Sequence, residues 1–195
     1  MKGYFISANS RNGFYSLYDK IFDNAAFDKI FVILGGPGTG KSTLMRQIGK
    51  AAEGCGAEAE CFYCSSDVHS LDGVILTNGK KRVGILDGTP PHARTVTAPA
   101  IKEEVWDLSR FWNTKALEEC RAEIEEASAA KKKAYRRAYA FLSSAGCIHE
   151  EGVRTARSHF DFEKARRTAK RRISAFLSAG EKKERLFRCY GMQGE

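Results

Sequence analysis

The hydrophobic rhythm of the chain changes near its middle. Before residue 100, short apolar runs alternate with glycine-rich breaks: Phe31-Val32-Ile33-Leu34, Cys61-Phe62-Tyr63 and Val83-Gly84-Ile85-Leu86. Runs with no polar alternation suit strands buried on both faces, as in the parallel sheet of an α/β domain. After residue 100 the apolar positions recur at helical spacing. Ile101, Val105 and Leu108 predict one helix; Asn113 can cap a second, which continues through Leu117, Cys120, Ile124, Ala127, Ala134, Ala138 and Phe141 and ends near Gly146. A third runs from about Glu150 through Ala156, Phe160, Ala169, Ile173 and Leu177 to Gly180, placed as a C-cap glycine. Three helices, the last two long, predict an antiparallel hairpin.

Proline and glycine sharpen this division. All four prolines and 13 of the 18 glycines precede residue 100, whereas the rest is rich in the helix formers Ala, Lys, Arg and Glu. The expected fold is therefore α/β: a three-layer core with a mostly parallel sheet over residues 1–100, and an inserted or appended helical hairpin over 101–180. Residues 181–195 remain, and Arg185-Leu186-Phe187-Arg188-Cys189-Tyr190 echoes Gly3-Tyr4-Phe5-Ile6-Ser7-Ala8. Three readings stand for this end: a strand returning to the core, the start of a second module, or chance likeness.

Composition narrows the class. With 43% apolar and 29% charged residues in 195, the chain is neither disordered nor fibrous, and it suits one domain or a domain with a sub-domain. No purely apolar run is longer than Ile30 to Leu34, which falls far short of the ~20 residues of a spanning helix, and Met1-Lys2-Gly3-Tyr4 opens no signal-peptide core. The expectation is a cytoplasmic protein without a membrane partner. Its six cysteines then read as reduced thiols. Cys61 and Cys64 alone have metal-like spacing, with no second such pair to complete a four-ligand zinc site.

The strongest chemical signal is Gly35-Gly36-Pro37-Gly38-Thr39-Gly40-Lys41-Ser42-Thr43, which satisfies G-x-x-x-x-G-K-[ST] in full. An apolar strand leads in, and Leu44 and Ile48 continue at helical spacing. Backbone amides freed by glycine wrap a polyphosphate, and the helix start aims its unpaired amides and positive dipole end at the same anion. Lys41 reaches the β- and γ-phosphates, and Ser42 offers a hydroxyl to Mg²⁺. Asp87, at the end of Val83 to Leu86, is placed to hold that metal through water, unless it is a plain turn aspartate. Asp67, after the strand ending at Cys64, is a second candidate; it could face the γ-phosphate with Ser65 and Ser66, or serve a turn. His69 and His92 lie just beyond these strand ends as proton carriers or solvated loop residues.

These residues resemble the P-loop NTPase superfamily, with Gly35 to Thr43 as Walker A and Val83 to Asp87 as Walker B. More narrowly, the chain resembles one module of a poorly characterised bacterial family of P-loop ATPases that often carry two modules in tandem. The likeness rests on Phe5-Ile6-Ser7-Ala8-Asn9-Ser10 with Gly13-Phe14, Cys64-Ser65-Ser66-Asp67 with Ser70-Leu71-Asp72-Gly73-Val74, Leu86 to His92, and Arg137 to Leu142. It implies a P-loop NTPase fold, ATP or GTP with Mg²⁺ as cofactors, and a second P-loop module in cis or in a homo-oligomer. Many hydrolytic motors carry Glu directly after the Walker B Asp. Gly88 stands there, so the water-activating base is unassigned, with Asp67 the first candidate and His92 the second.

Charge adds one question. The net +8 divides into +2 over residues 1–100, −4 over 101–130 and +10 over 131–195. The basic residues, among them Lys131, Lys132, Lys133, Arg136, Arg137, Arg154, Arg157 and those from Lys164 to Arg172, read as a solvated surface partly paired with Glu118, Glu119, Glu123, Glu125 and Glu126. They also read as a lid closing arginines on the phosphates, or as a nucleic-acid contact with Tyr135, Tyr139 and Phe160 for stacking. The leading expectation is a slow Mg²⁺-dependent NTPase, with Lys41, Asp67 and Asp87 in catalysis, coupled to movement of the basic helices. The alternatives are a kinase for a small-molecule or nucleotide acceptor, and a nucleotide-switched nucleic-acid-binding module.

Overall fold

The computed structural model describes residues 1–91 and 95–174. Six strands form the main sheet: β1 (Lys2–Tyr4), β4 (Lys29–Leu34), β5 (Glu58–Tyr63), β6 (Leu71–Asn78), β7 (Lys81–Asp87) and β8 (Glu103–Asp107). Their order is β1-β5-β6-β7-β4-β8. Strand β6 runs antiparallel to both neighbours, and the other pairings are parallel. A separate hairpin joins β2 (Ser7–Ser10) to β3 (Gly13–Ser16). The helices are α1 (Tyr18–Ile21), α2 (Lys41–Gly54), α3 (Thr114–Glu119), α4 (Arg121–Ser158) and α5 (Phe162–Ser174). This is an α/β fold built on a mostly parallel sheet.

Strand β4 lies between β7 and the edge strand β8 and is apolar on both faces. Ile30 and Val32 pack with Leu17, Tyr18, Phe22 and Phe27 on one side, and Ile33 packs with Met45 of α2, Cys61 and Val74 on the other. The two-residue period of a strand sends alternate residues to opposite layers. Phe22 anchors the first layer, stacked on Tyr18 and Phe27 at 5.7 Å and edge-on to Phe62 at 5.5 Å. Helix α2 covers the second layer.

The segment around Ile101, Val105 and Leu108 is not a helix. Residues 103–107 are the edge strand β8, pairing with β4 from Ile30↔Glu103 to Leu34↔Asp107. Sheet pairing overrides the helical spacing, and Ile101 and Val105, which would have formed the apolar face, are exposed. The buried residue is Glu103, whose carboxylate accepts from the amides of Thr97 at 2.6 Å and Ala98 at 2.7 Å. The sheet therefore reaches beyond residue 100.

The expected helix end at Gly146 is also absent, because α4 runs through it to Ser158. Gly146 is instead a contact point: a Cβ there would collide with the side chain of Arg11, which donates to the Gly146 carbonyl and pairs with Glu150. No described residue of α4 or α5 is buried, so the described residues do not form the packed hairpin. The chain turns at residues 159–161, and the expected continuation to Gly180 and the terminal echo lie outside the described residues. No helix among the described residues is long and apolar enough to cross a membrane.

Because Phe22 is fully buried among three aromatic neighbours, Phe22→Ala is expected to destabilise the fold by about 3–5 kcal/mol. A shift of that size in the urea unfolding free energy is the check.

Candidate functional site

The chain leaves β4 at Leu34 and closes a tight loop before α2 begins at Lys41. Thr39 fastens the loop, its hydroxyl donating to the Gly36 carbonyl at 2.9 Å. Gly40, the N-cap of α2, has φ 82°, a left-handed conformation that costs a side-chain-bearing residue roughly 1 kcal/mol or more. No side chain caps α2. Its first amides, from Lys41 to Thr43, therefore face outward with the positive end of the helix dipole behind them.

Lys41 folds back across this loop. Its ammonium donates to the carbonyls of Gly35 and, at 3.1 Å, Gly36, and lies 3.6 Å from Asp87 Oδ2. Both side chains are nearly enclosed, at 11% and 12% exposure, so water screens the pair weakly. Asp87 reaches the loop because β7 lies directly beside β4, with Ile33 opposite Asp87. Its other oxygen accepts from Thr89 through the amide at 2.8 Å and the hydroxyl at 2.6 Å. Ser42 Oγ accepts from the Leu71 amide at 2.8 Å, which brings the start of β6 to the same place.

That contact introduces a residue the sequence reading did not single out. Asp72 follows Leu71 and is only 4% exposed. With Gly73 opposite Leu86, the antiparallel register carries Asp72 to the level of Asp87. The Tyr18 phenol faces this group from the other layer. Burial foremost, then the nearby acidic groups Asp72, Cys64 and Asp87, hold it well above the ordinary tyrosine range, and it stays a proton donor at neutral pH. A polar residue inside the apolar stretch Leu71 to Leu76 was the available signal for Asp72. Tyr18 carried none.

Asp67 sits elsewhere in the neighbourhood, in an exposed turn, its carboxylate accepting from the His69 amide at 3.0 Å. His69 is exposed, and its carbonyl accepts from Arg46. His92 lies outside the described residues. Cys61 is buried beside Met1, and Cys64 Sγ accepts from the Ser66 amide at 3.4 Å. Among the described residues no group of three or more His, Cys, Asp or Glu could hold a metal by itself.

Two further contacts shape the site. Trp112, after β8, lies on Gly36, where a Cβ would stand 2.5 Å from its ring. Loop 65–70 is tied to α4 through the hairpin: Tyr139 Oη donates to Asn9 Oδ1 at 2.7 Å, and Asn9 Nδ2 donates to Ser66 Oγ at 3.1 Å. Gly88 explains the absent glutamate sterically. Its amide extends the ladder to Ile33 at 2.9 Å, and a Cβ there would collide with Val32 and Leu34.

No protein-family model, no curated protein and no solved structure matches the chain.

Installing the carboxylate that hydrolytic motors carry after the strand aspartate should fail here. Gly88→Glu is expected to lose at least ~2 kcal/mol through overpacking against β4, seen as a lower denaturation midpoint.

Proposed function

We propose that residues 35–43 bind the β- and γ-phosphates of ATP or GTP together with Mg²⁺, and that the chain hydrolyses the γ-phosphate slowly. The observation that carries this reading is the enclosed Lys41 ammonium, held by two loop carbonyls and Asp87 at the mouth of an uncapped helix. The amides of residues 38–43 would wrap the phosphates, and Lys41 would exchange the carbonyls of Gly35 and Gly36 for phosphate oxygens, its positive charge staying where negative charge grows during transfer.

The donor set also fits magnesium, a hard cation that takes oxygen ligands. Ser42 offers its hydroxyl directly, and Asp87 an oxygen through water. When bound, the ion would neutralise phosphate charge and fix the leaving oxygen. Asp72 is the carboxylate beside Asp87, and the reading gives it the orientation of the attacking water. Tyr18, kept protonated, would hold Asp72 or that water by donating its phenolic proton in a hydrogen bond. The fold around the loop supports an NTPase of the P-loop kind in three layers, and a basic helix tied to loop 65–70 supports coupling of turnover to α4.

Calorimetric titration with Mg·ATP and Mg·GTP tests the binding step. Lys41→Ala removes charge-assisted hydrogen bonds worth ~1.5–3 kcal/mol and should weaken binding at least ~10-fold; equal affinity in both proteins sinks the proposal. For turnover, Asp72→Asn should lower phosphate release by roughly 10²-fold or more with nucleotide still bound. Asp67→Asn, changing an exposed turn, should stay within about 3-fold. The reverse order would return the base to Asp67.

A further inference from the structure

Helix α4 carries an apolar seam that nothing among the described residues covers. Ile124, Ala127, Ala134, Ala138, Phe141, Ala145 and Ile148 follow one another at three, four or seven, the a and d positions of a heptad repeat. Phe141 is 70% and Ile148 76% exposed. The seam differs from the face that meets the core, since Tyr139, Gly146 and Glu150 point to the β2–β3 hairpin. At 38 residues, α4 is about 57 Å long. A helix of this length with an open apolar stripe is a half-built interface.

Its charges say what completes it. Glu118 and Glu119 at the end of α3 and Glu123, Glu125 and Glu126 of α4 form an acidic block, and Lys131, Lys132, Lys133, Arg136 and Arg137 a basic one. Between them lie Ala127, Ser128, Ala129 and Ala130. That gap leaves Glu123, Glu125 and Glu126 with no base three or four residues ahead, so the blocks cannot pair within the helix. Among the described residues the only ion pair either block makes is Glu118 with Arg121. The blocks sit on either side of Ala129, which makes the helix complementary to itself when reversed.

We infer that α4 is a docking surface for a second copy of this chain, the two helices pairing antiparallel about a two-fold axis near Ala129. Such a contact is isologous, each acidic block meeting the other copy's basic block. Heptad positions then place Ile124 against Ala134 and Ala127 against the stem of Lys131, with Glu123 facing Arg137 across the seam. The small residues at the centre let the helices approach to the short end of the ~8–10 Å range. Phe141 reaches past Ala138 towards Leu117 of the second copy. The hairpin contacts begin at Tyr139, so both contacts fit on one helix.

Sedimentation equilibrium of the 195-residue chain from about 1 to 200 µM tests this. The expected result is a dimer that weakens with added salt. Glu123→Arg or Arg137→Glu alone sets like charges together twice by symmetry, and should raise the dissociation constant roughly 10-fold or more. The double swap should restore it to within about 3-fold, with helical circular dichroism unchanged throughout. Phe141→Lys should abolish dimerisation. A monomer over the whole range overturns the inference, whether residues 175–195 or a different protein covers the seam. So does a dimer indifferent to Phe141→Lys, or single swaps that the double variant does not rescue. None of these readings depends on nucleotide binding.

Discussion

The enclosed charge of Lys41 is the constraint around which the rest of the site is arranged. An ammonium drawn out of water must be compensated on the spot, and here the carbonyls of Gly35 and Gly36 and the carboxylate of Asp87 share that task. A pair of this kind adds little net stability once assembled, yet removing one partner strands the other at a cost of several kcal/mol. The neighbours must therefore stay in register. The adjacency of β4 and β7 supplies Asp87, Thr89 holds its second oxygen, and Gly88 is stripped of a side chain so that the turn can lie against Val32 and Leu34.

The same demand extends to the first layer, which lies under the site. Phe22 presses on Gly73 of β6 and, with Phe27, on Gly84 of β7, and Tyr18 stacks on Phe22, so the missing side chains leave room for aromatic rings directly under the strands that carry Asp72 and Asp87. Tyr18 thereby joins the packing of the core to the electrostatics of the site. A contiguous series of hydrogen bonds then leads outward, from Ser66 through Asn9 to Tyr139 of α4, and Arg11 fixes the helix again at Gly146 and Glu150. Rearrangement of loop 65–70 would be felt first at this joint.

The legible parts of the chain were those governed by neighbours in sequence. The strand from Phe31 to Leu34, the glycine loop, the start of α2 and the strand ending in Asp87 all depend on local apolar runs, on backbone freedom and on helix capping, and each lies where those rules place it. The cap Asn113 also holds, its side chain accepting from the Ala116 amide. Residues 101–108 misled because their three- and four-residue spacing describes a helix equally well, while the hydrogen bonds that decided the matter come from β4, some 70 residues earlier. Gly146 misled for a related reason: it ends a helix in isolation, but against Arg11 it is the place where two elements meet.

By itself the sequence determined the strands ending at Leu34 and Asp87, the glycine loop before α2 and the two blocks of opposite charge, because each is written in residues close together along the chain. Only the tertiary structure decided that β6 runs against its neighbours, that Asp72 and Tyr18 join the carboxylate end of β7 while Asp67 stays in an exposed turn, and that α4 meets the β2–β3 hairpin on one face with a seam that no described residue covers on another. Those outcomes rest on pairing register and burial, which arise between distant segments and leave no periodic trace in either one.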